Sequence, residues 1–135
     1  MVLFKWRDEY NVNIPSIDEQ HKKLVAIIND LQVAMIDGKS QDVMKKIIDE
    51  LVQYTKSHFT HEESLMSTYN YNDLSQHKKI HVDFIEKVTD FQVKFKEGKR
   101  LLSVEILNFL RDWLISHING EDKKYASCLI EKGAR

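Results

Sequence analysis

The chain has 135 residues, 42% of them hydrophobic and 30% charged, which suits one domain with a buried core and leaves little room for a second. Lys+Arg 20 against Asp+Glu 21 gives a net charge of -1, so nothing in the charge balance draws nucleic acid or an anionic membrane. The single Cys128 excludes an intrachain disulfide framework, and no apolar run approaches the roughly 20 residues that span a bilayer.

The segment 1–8 mixes Lys5, Arg7 and Asp8 with its apolar residues and lacks the core of a signal peptide. A cytoplasmic location without membrane insertion or nucleic-acid binding is therefore expected, and a monomer is favoured because no second apolar face is evident. With only 1 Pro and 4 Gly, helix breakers are scarce and an all-α fold is expected. An extended arm, 1–15, carries Phe4, Trp6, Tyr10, Val12 and Ile14; its aromatic residues read as a lid on the remainder. Ser16-Ile17-Asp18-Glu19 reads as a capping box opening a first helix over 17–37, with Gly38 as its left-handed C-cap.

A second helix is predicted to follow Ser40 and reach about residue 67, where Tyr69-Asn70-Tyr71-Asn72 reads as a turn. Asp73-Leu74-Ser75-Gln76 reads as another capping box, starting a third helix that ends near 97, before Gly98. The fourth helix is predicted over 103–119, where Gly120 interrupts it, and 121–130 reads as helical again.

Apolar residues and histidines recur at steps of three and four. The first helix gives Ile17, His21, Leu24, Ile28, Leu31 and Met35, and the second Met44, Ile47, Leu51, Tyr54 and His58. The third gives Leu74, His77, His81, Phe84, Val88, Phe91 and Phe95, and the fourth Leu107, Leu110, Leu114 and His117. Such stripes face inward in helices packed at small crossing angles. The expectation is an up-down-up-down antiparallel four-helix bundle with an extended N-terminal arm and a short C-terminal helix. The whole of 1–135 is read as one domain: arm 1–15, bundle 16–119 and helical tail 120–135.

Five of the 6 histidines lie on these stripes: His21, His58, His77, His81 and His117. Burying five imidazoles with unpaired ring nitrogens is costly, and a shared metal removes the cost. Glu62 follows His58 by four, about 40° around the helix and on the same face. His77 and His81 share that spacing. Asp122 follows His117 by five, which on a regular helix would point them about 140° apart. Gly120 between them would allow a wide, π-like turn that brings both to one site; the alternative is that Asp122 caps the tail segment. Five imidazoles and two carboxylates exceed the needs of one tetrahedral zinc, so the arithmetic points to two metals. With both carboxylates and a solvent oxygen bridging, one metal is six-coordinate and the other five-coordinate, with one position open.

The set His21, His58-x3-Glu62, His77-x3-His81 and His117-x4-Asp122 resembles the hemerythrin family in its bacterial single-domain form. The likeness runs from Trp6 and Ile17-Asp18-Glu19-Gln20-His21 to Asp122-Lys123-Lys124-Tyr125. It implies two non-haem Fe ions (Fe2+/Fe3+) with a bridging oxo or hydroxo group. By that resemblance His77, His81 and His117 bind the six-coordinate iron, His21 and His58 the iron with the open position, and Glu62 and Asp122 bridge. It implies reversible O2 binding, with O2 held as hydroperoxide on the five-coordinate iron, for storage or for delivery to an oxygen-consuming enzyme. The protein is then an oxygen-binding protein and not an enzyme. Residues matching the family's oxygen pocket are Leu24, Phe59, Trp113, Leu114 and Ile118, although apolar side chains fill any bundle core. A di-iron O2, NO or redox sensor and a di-iron peroxidase are the alternatives. The imidazole-rich ligand set argues against the carboxylate-rich di-iron oxygenases. His61 has no ligand role by the resemblance; the simplest reading is a partly exposed surface histidine, and Lys94 to Lys99 reads as solvated helix surface.

Overall fold

The computed structural model describes residues 4–97 and 102–134. Four helices, α1 (Pro15–Ile36), α2 (Gln41–Thr68), α3 (Leu74–Lys96) and α4 (Leu102–His117), pack in a ring, each against its neighbours in sequence and α4 back on α1. A π-helical turn, Ile118–Asp122, leads from α4 into a short α5 (Lys123–Glu131). The bundle, the arm and the short last helix are as expected, and no strand occurs among the described residues.

Helix starts differ from the predicted ones. Helix α1 begins at Pro15, with Ile14 in the N-cap position and no side-chain cap, so Ser16 does not form a capping box. Proline has no N–H to lose and its φ is already helical, so it takes the first helical position ahead of Ser16. Asp18, in the first turn, reaches back to accept the backbone N–H groups of Val12 at 2.7 Å and Asn13 at 3.2 Å. The box at Asp73 also fails to form: its side chain caps nothing and instead pairs with Lys124 at 3.2 Å.

Other signals behave as read. Ser40 caps α2 through Val43 N–H. Gly38 sits at φ 62 while Lys39 N–H bonds Ala34 O at 2.9 Å, the left-handed close of α1. Asn70, at φ 56, plays the same part after α2. The predicted stop at Gly98 lies outside the described residues, as does Lys99.

The stripes bury most of their residues, but Met35 of α1 and Leu74 of α3 are only partly covered and α2 shows a shift. On α2 the buried line runs Met44, Ile48, Leu51, Thr55, His58, Glu62 and Met66, whereas Ile47 and Tyr54 are only partly covered. The true line steps by four where the sequence offered two adjacent apolar choices, and the helix turns Ile48 to the core. The arm lies on the bundle as a lid, with Phe4, Tyr10, Val12 and Ile14 buried. Asn29 holds it through both backbone groups of Phe4, at 2.9 and 2.7 Å. Trp6 packs toward His21, ring centroids 6.5 Å apart, so the arm covers one side of the histidine cluster.

Candidate metal centre

Each helix delivers a histidine to one layer of the core. His21 comes from α1, His58 and Glu62 from α2, His77 and His81 from α3, and His117 from the end of α4; all are buried. Asp122 closes the π-helical turn and is fully buried. A regular helix would have rotated it outward, so the wide turn is what brings Asp122 to the same layer as His117. Gly120 contributes less than its position suggested. It does not take a positive φ, and a Cβ there would meet nothing within 4 Å.

The seven side chains fall into two groups able to hold a cation, His77-His81-His117-Asp122 and His21-His58-Glu62. The carboxylates connect them. Asp122 puts Oδ1 3.0 Å from His117 Nε2 and 3.3 Å from His77 Nε2, and Oδ2 3.1 Å from His21 Nε2. Glu62 turns Oε1 toward His58 and, at 3.6 Å, toward His21, and Oε2 toward His77 at 3.9 Å. Each carboxylate therefore offers one oxygen to each group.

None of these approaches has hydrogen-bond geometry. Nε2 of all five histidines and all four carboxylate oxygens are buried without a hydrogen-bond partner. A folded core does not leave so many polar atoms unmatched at one point unless something else satisfies them. Nitrogen and oxygen donors converging in this way suit two transition-metal cations, and the residues fit the iron pair that the resemblance implies.

Without metal the cluster shares protons. Burial disfavours a charge on His21, but the Asp122 and Glu62 carboxylates outweigh it and raise its pKa from 6.5 to about 10. His117 is also raised, against burial, by Asp122. Burial and Asp122 push Glu62 up, yet His58 and His21 bring it below its usual value; burial opposes Asp122 in the same way, and His117 leads the groups that hold it low. His81, chiefly through burial, is lowered to about 3 and is neutral.

Next to this layer lies an apolar cavity of about 10 Å³, lined by Leu24, Ile28, Leu51, Thr55, Phe59, Phe84, Leu110, Trp113 and Leu114. Leu24 is one turn from His21, Thr55 one turn from His58, and Leu114 one turn from His117. The Thr55 hydroxyl donates its proton to Leu51 O at 2.7 Å, and the rest of the lining is aliphatic or aromatic. The space admits one molecule about the size of water. Four of the five residues that the resemblance assigns to an oxygen pocket, Leu24, Phe59, Trp113 and Leu114, line this cavity; the fifth, Ile118, lies buried in the π-helical turn and is not part of this lining.

Three further residues touch the site and a fourth holds its cover, none of them among the site residues read from the sequence. Gln20 bonds His58 Nδ1 and Glu63 bonds His81 Nδ1. Tyr125 sets its ring edge-on to His77, centroids 5.3 Å apart, and Asp18 ties down the covering arm. Only adjacency to His21 and Glu62 could have flagged Gln20 and Glu63. His61 is partly exposed and bonded to Ser16 Oγ at 3.0 Å, outside both groups.

A sequence model of the Hemerythrin HHE cation binding domain matches residues 12–129. The chain belongs to the hemerythrin family. It is 37% identical to a bacteriohemerythrin of Stenotrophomonas maltophilia over 126 residues, covering 93% of this chain and 81% of that protein. A myohemerythrin of Theromyzon tessulatum is 34% identical over 122 residues, with 90% of each chain covered. A crystal structure of wild-type hemerythrin superposes with a TM-score of 0.87 at 32% identity, over 95% of this chain and 98% of the other. No helix among the described residues is long and apolar enough to cross a membrane.

Proposed function

We propose that this hemerythrin-family chain, as a single domain, binds dioxygen reversibly at a non-haem di-iron centre and serves in oxygen storage or delivery as a binding protein, not an enzyme. The observation that carries the reading is the pair of donor groups joined by Glu62 and Asp122, with a small apolar cavity beside them. His77, His81 and His117 would hold one iron, His21 and His58 the other, and the two carboxylates would span both. Two ferrous ions with an oxo or hydroxo bridge would supply the two electrons that dioxygen takes up and gives back.

The chain's own residues supply the rest. Glu62 and Asp122, both fully buried, would compensate the positive charge of the ions. With two histidines, His21 and His58, against the three of the other group, this side leaves the neighbourhood of Leu24 and Leu114 for a small ligand. Phe59, Trp113 and Leu114 exclude water and offer no acid that would promote O–O cleavage or loss of a reduced product. The arm, with Trp6 over His21, closes the outer side.

The test is an anaerobic load with ferrous iron followed by O2 and then an inert-gas purge, read by iron content and visible absorption. Two irons per chain and a colour that appears with O2 and fades on purging are expected. Two irons that oxidise once and do not return would replace storage with redox sensing or peroxidase chemistry.

A further inference from the structure

Two of the site imidazoles are held from behind by a side chain, and the two holders differ in charge. From α1, Gln20 aims Oε1 at His58 Nδ1 across 2.7 Å. From α2, Glu63 aims Oε2 at His81 Nδ1 across 2.8 Å. An amide oxygen and a carboxylate oxygen can only accept, so each Nδ1–H is the donor. The tautomers are thereby fixed with both Nε2 lone pairs facing the donor cluster, and both Nε2 atoms are among those left without a hydrogen-bond partner.

The consequences for the two rings are unequal. A hydrogen bond to a carboxylate is charge-assisted and about twice as strong as one to a neutral amide. It draws the ring proton further and leaves more electron density at the opposite nitrogen, which makes a better ligand. His81 belongs to the group with His77, His117 and Asp122, and His58 to the group with His21 and Glu62. The charge difference therefore distinguishes one metal position from the other.

His81 is also the more firmly fixed ring. Phe59 lies flat on its face, centroids 3.7 Å apart and planes within 1°. Glu63 grips its edge from a surface groove between α2 and α3 that Phe59, Val82, Ile85 and Glu86 also line. The Glu63 side chain is 26% exposed, against 2% for His81, so a charge at the solvent boundary acts directly on a buried ligand.

We propose that Glu63 is a positioning residue of the metal centre: its charge makes His81 the stronger donor, tightening metal retention at the three-histidine position and favouring the oxidised ion there. Gln20 orients His58 without that charge and leaves its position the more reducible. This inference rests on the two-metal reading of the site.

Glu63→Gln is the informative variant, because it keeps an acceptor oxygen on the same stem and removes only the charge. Glu86→Gln removes an equal charge from the same groove without touching a ligand, and Gln20→Glu adds one behind His58. Each protein would be loaded with zinc, which has no redox chemistry, and followed by metal content, chelator competition and the nitrogen-15 shift of His81 Nδ1–H. Iron-loaded samples would give the midpoint potential.

Glu63→Gln is expected to take up two zinc ions, release one of them about 10-fold more readily, and show a His81 Nδ1–H resonance moved upfield. Its iron potential should rise, and that of Gln20→Glu should fall. Wild-type protein that binds two zinc ions, with Glu63→Gln matching Glu86→Gln in retention, resonance and potential, would overturn the role of Glu63 alone. Wild-type protein that binds fewer than two would overturn the two-metal reading and this inference together.

Discussion

Leu114 forms part of the cavity wall one turn before His117, yet touches the proposed centre only through space. Leu114→Ala enlarges an apolar cavity and removes buried methyl groups, at a cost of about 2–5 kcal/mol in stability. Iron loading should be unchanged while oxygen release and autoxidation accelerate; unaltered gas kinetics would remove the cavity from the ligand path. The histidines themselves give the metal-free chain a pH signature. His21, raised from 6.5 to about 10, contributes stability that is complete below 6.5 and is lost as pH climbs through about 10. His81, lowered from 6.5 to about 3, acts oppositely: the unfolded chain binds a proton there as pH falls below 6.5 and the folded chain does not. Glu62 and Asp122, held below 4.5 and 3.8, add a further loss below those values. The melting temperature of chelated protein should therefore peak near pH 6.5, and a steady rise to pH 10 would contradict this proton sharing.

Among the elements, the π-helical turn and the arm decide whether the ligands converge. The turn inserts the extra residue that puts both His117 and Asp122 inside, and it also sets Tyr125, Ala126 and Leu129 of α5 against the core. Since Gly120 has no strained φ and open space at its Cβ, Gly120→Ala should fold and load two metals as the wild type does. Loss of metal in that variant would return the turn to glycine's conformational freedom. The arm depends instead on Asp18, whose carboxylate serves the N–H groups of Val12 and Asn13. Asp18→Ala leaves those donors unmatched and should cost about 1–3 kcal/mol, with faster proteolysis of the arm. Trp6 would then move off His21, and its fluorescence should shift to the red; an unchanged spectrum and cleavage rate would show that the arm holds by apolar contact alone.

For the molecule as a whole, metal and fold are coupled. Nine buried donor atoms have no hydrogen-bond partner, so a bound metal would stabilise the fold and chelation should lower the melting temperature by on the order of 10 °C. The bundle and its donor set were legible because helical periodicity and ligand spacing repeat in all four helices: His58 and Glu62, or His77 and His81, need only a regular helix to meet. The less legible features depend on single choices made in three dimensions. The capping boxes gave way to Pro15 and to the pairing of Asp73 with Lys124, and Ile48 displaced Ile47 on the buried face of α2; the π-helical turn that contains Ile118 depends on no repeating pattern. Gln20 and Glu63 have no period at all, and their roles follow only from which imidazole edge each reaches. The most direct measurement of the central claim is an oxygen titration of anaerobically iron-loaded protein, with gas uptake and release counted against iron. One dioxygen bound for every two irons, and recovered on purging, is the expected result. Irons that take up no gas, or uptake that cannot be reversed, would contradict it.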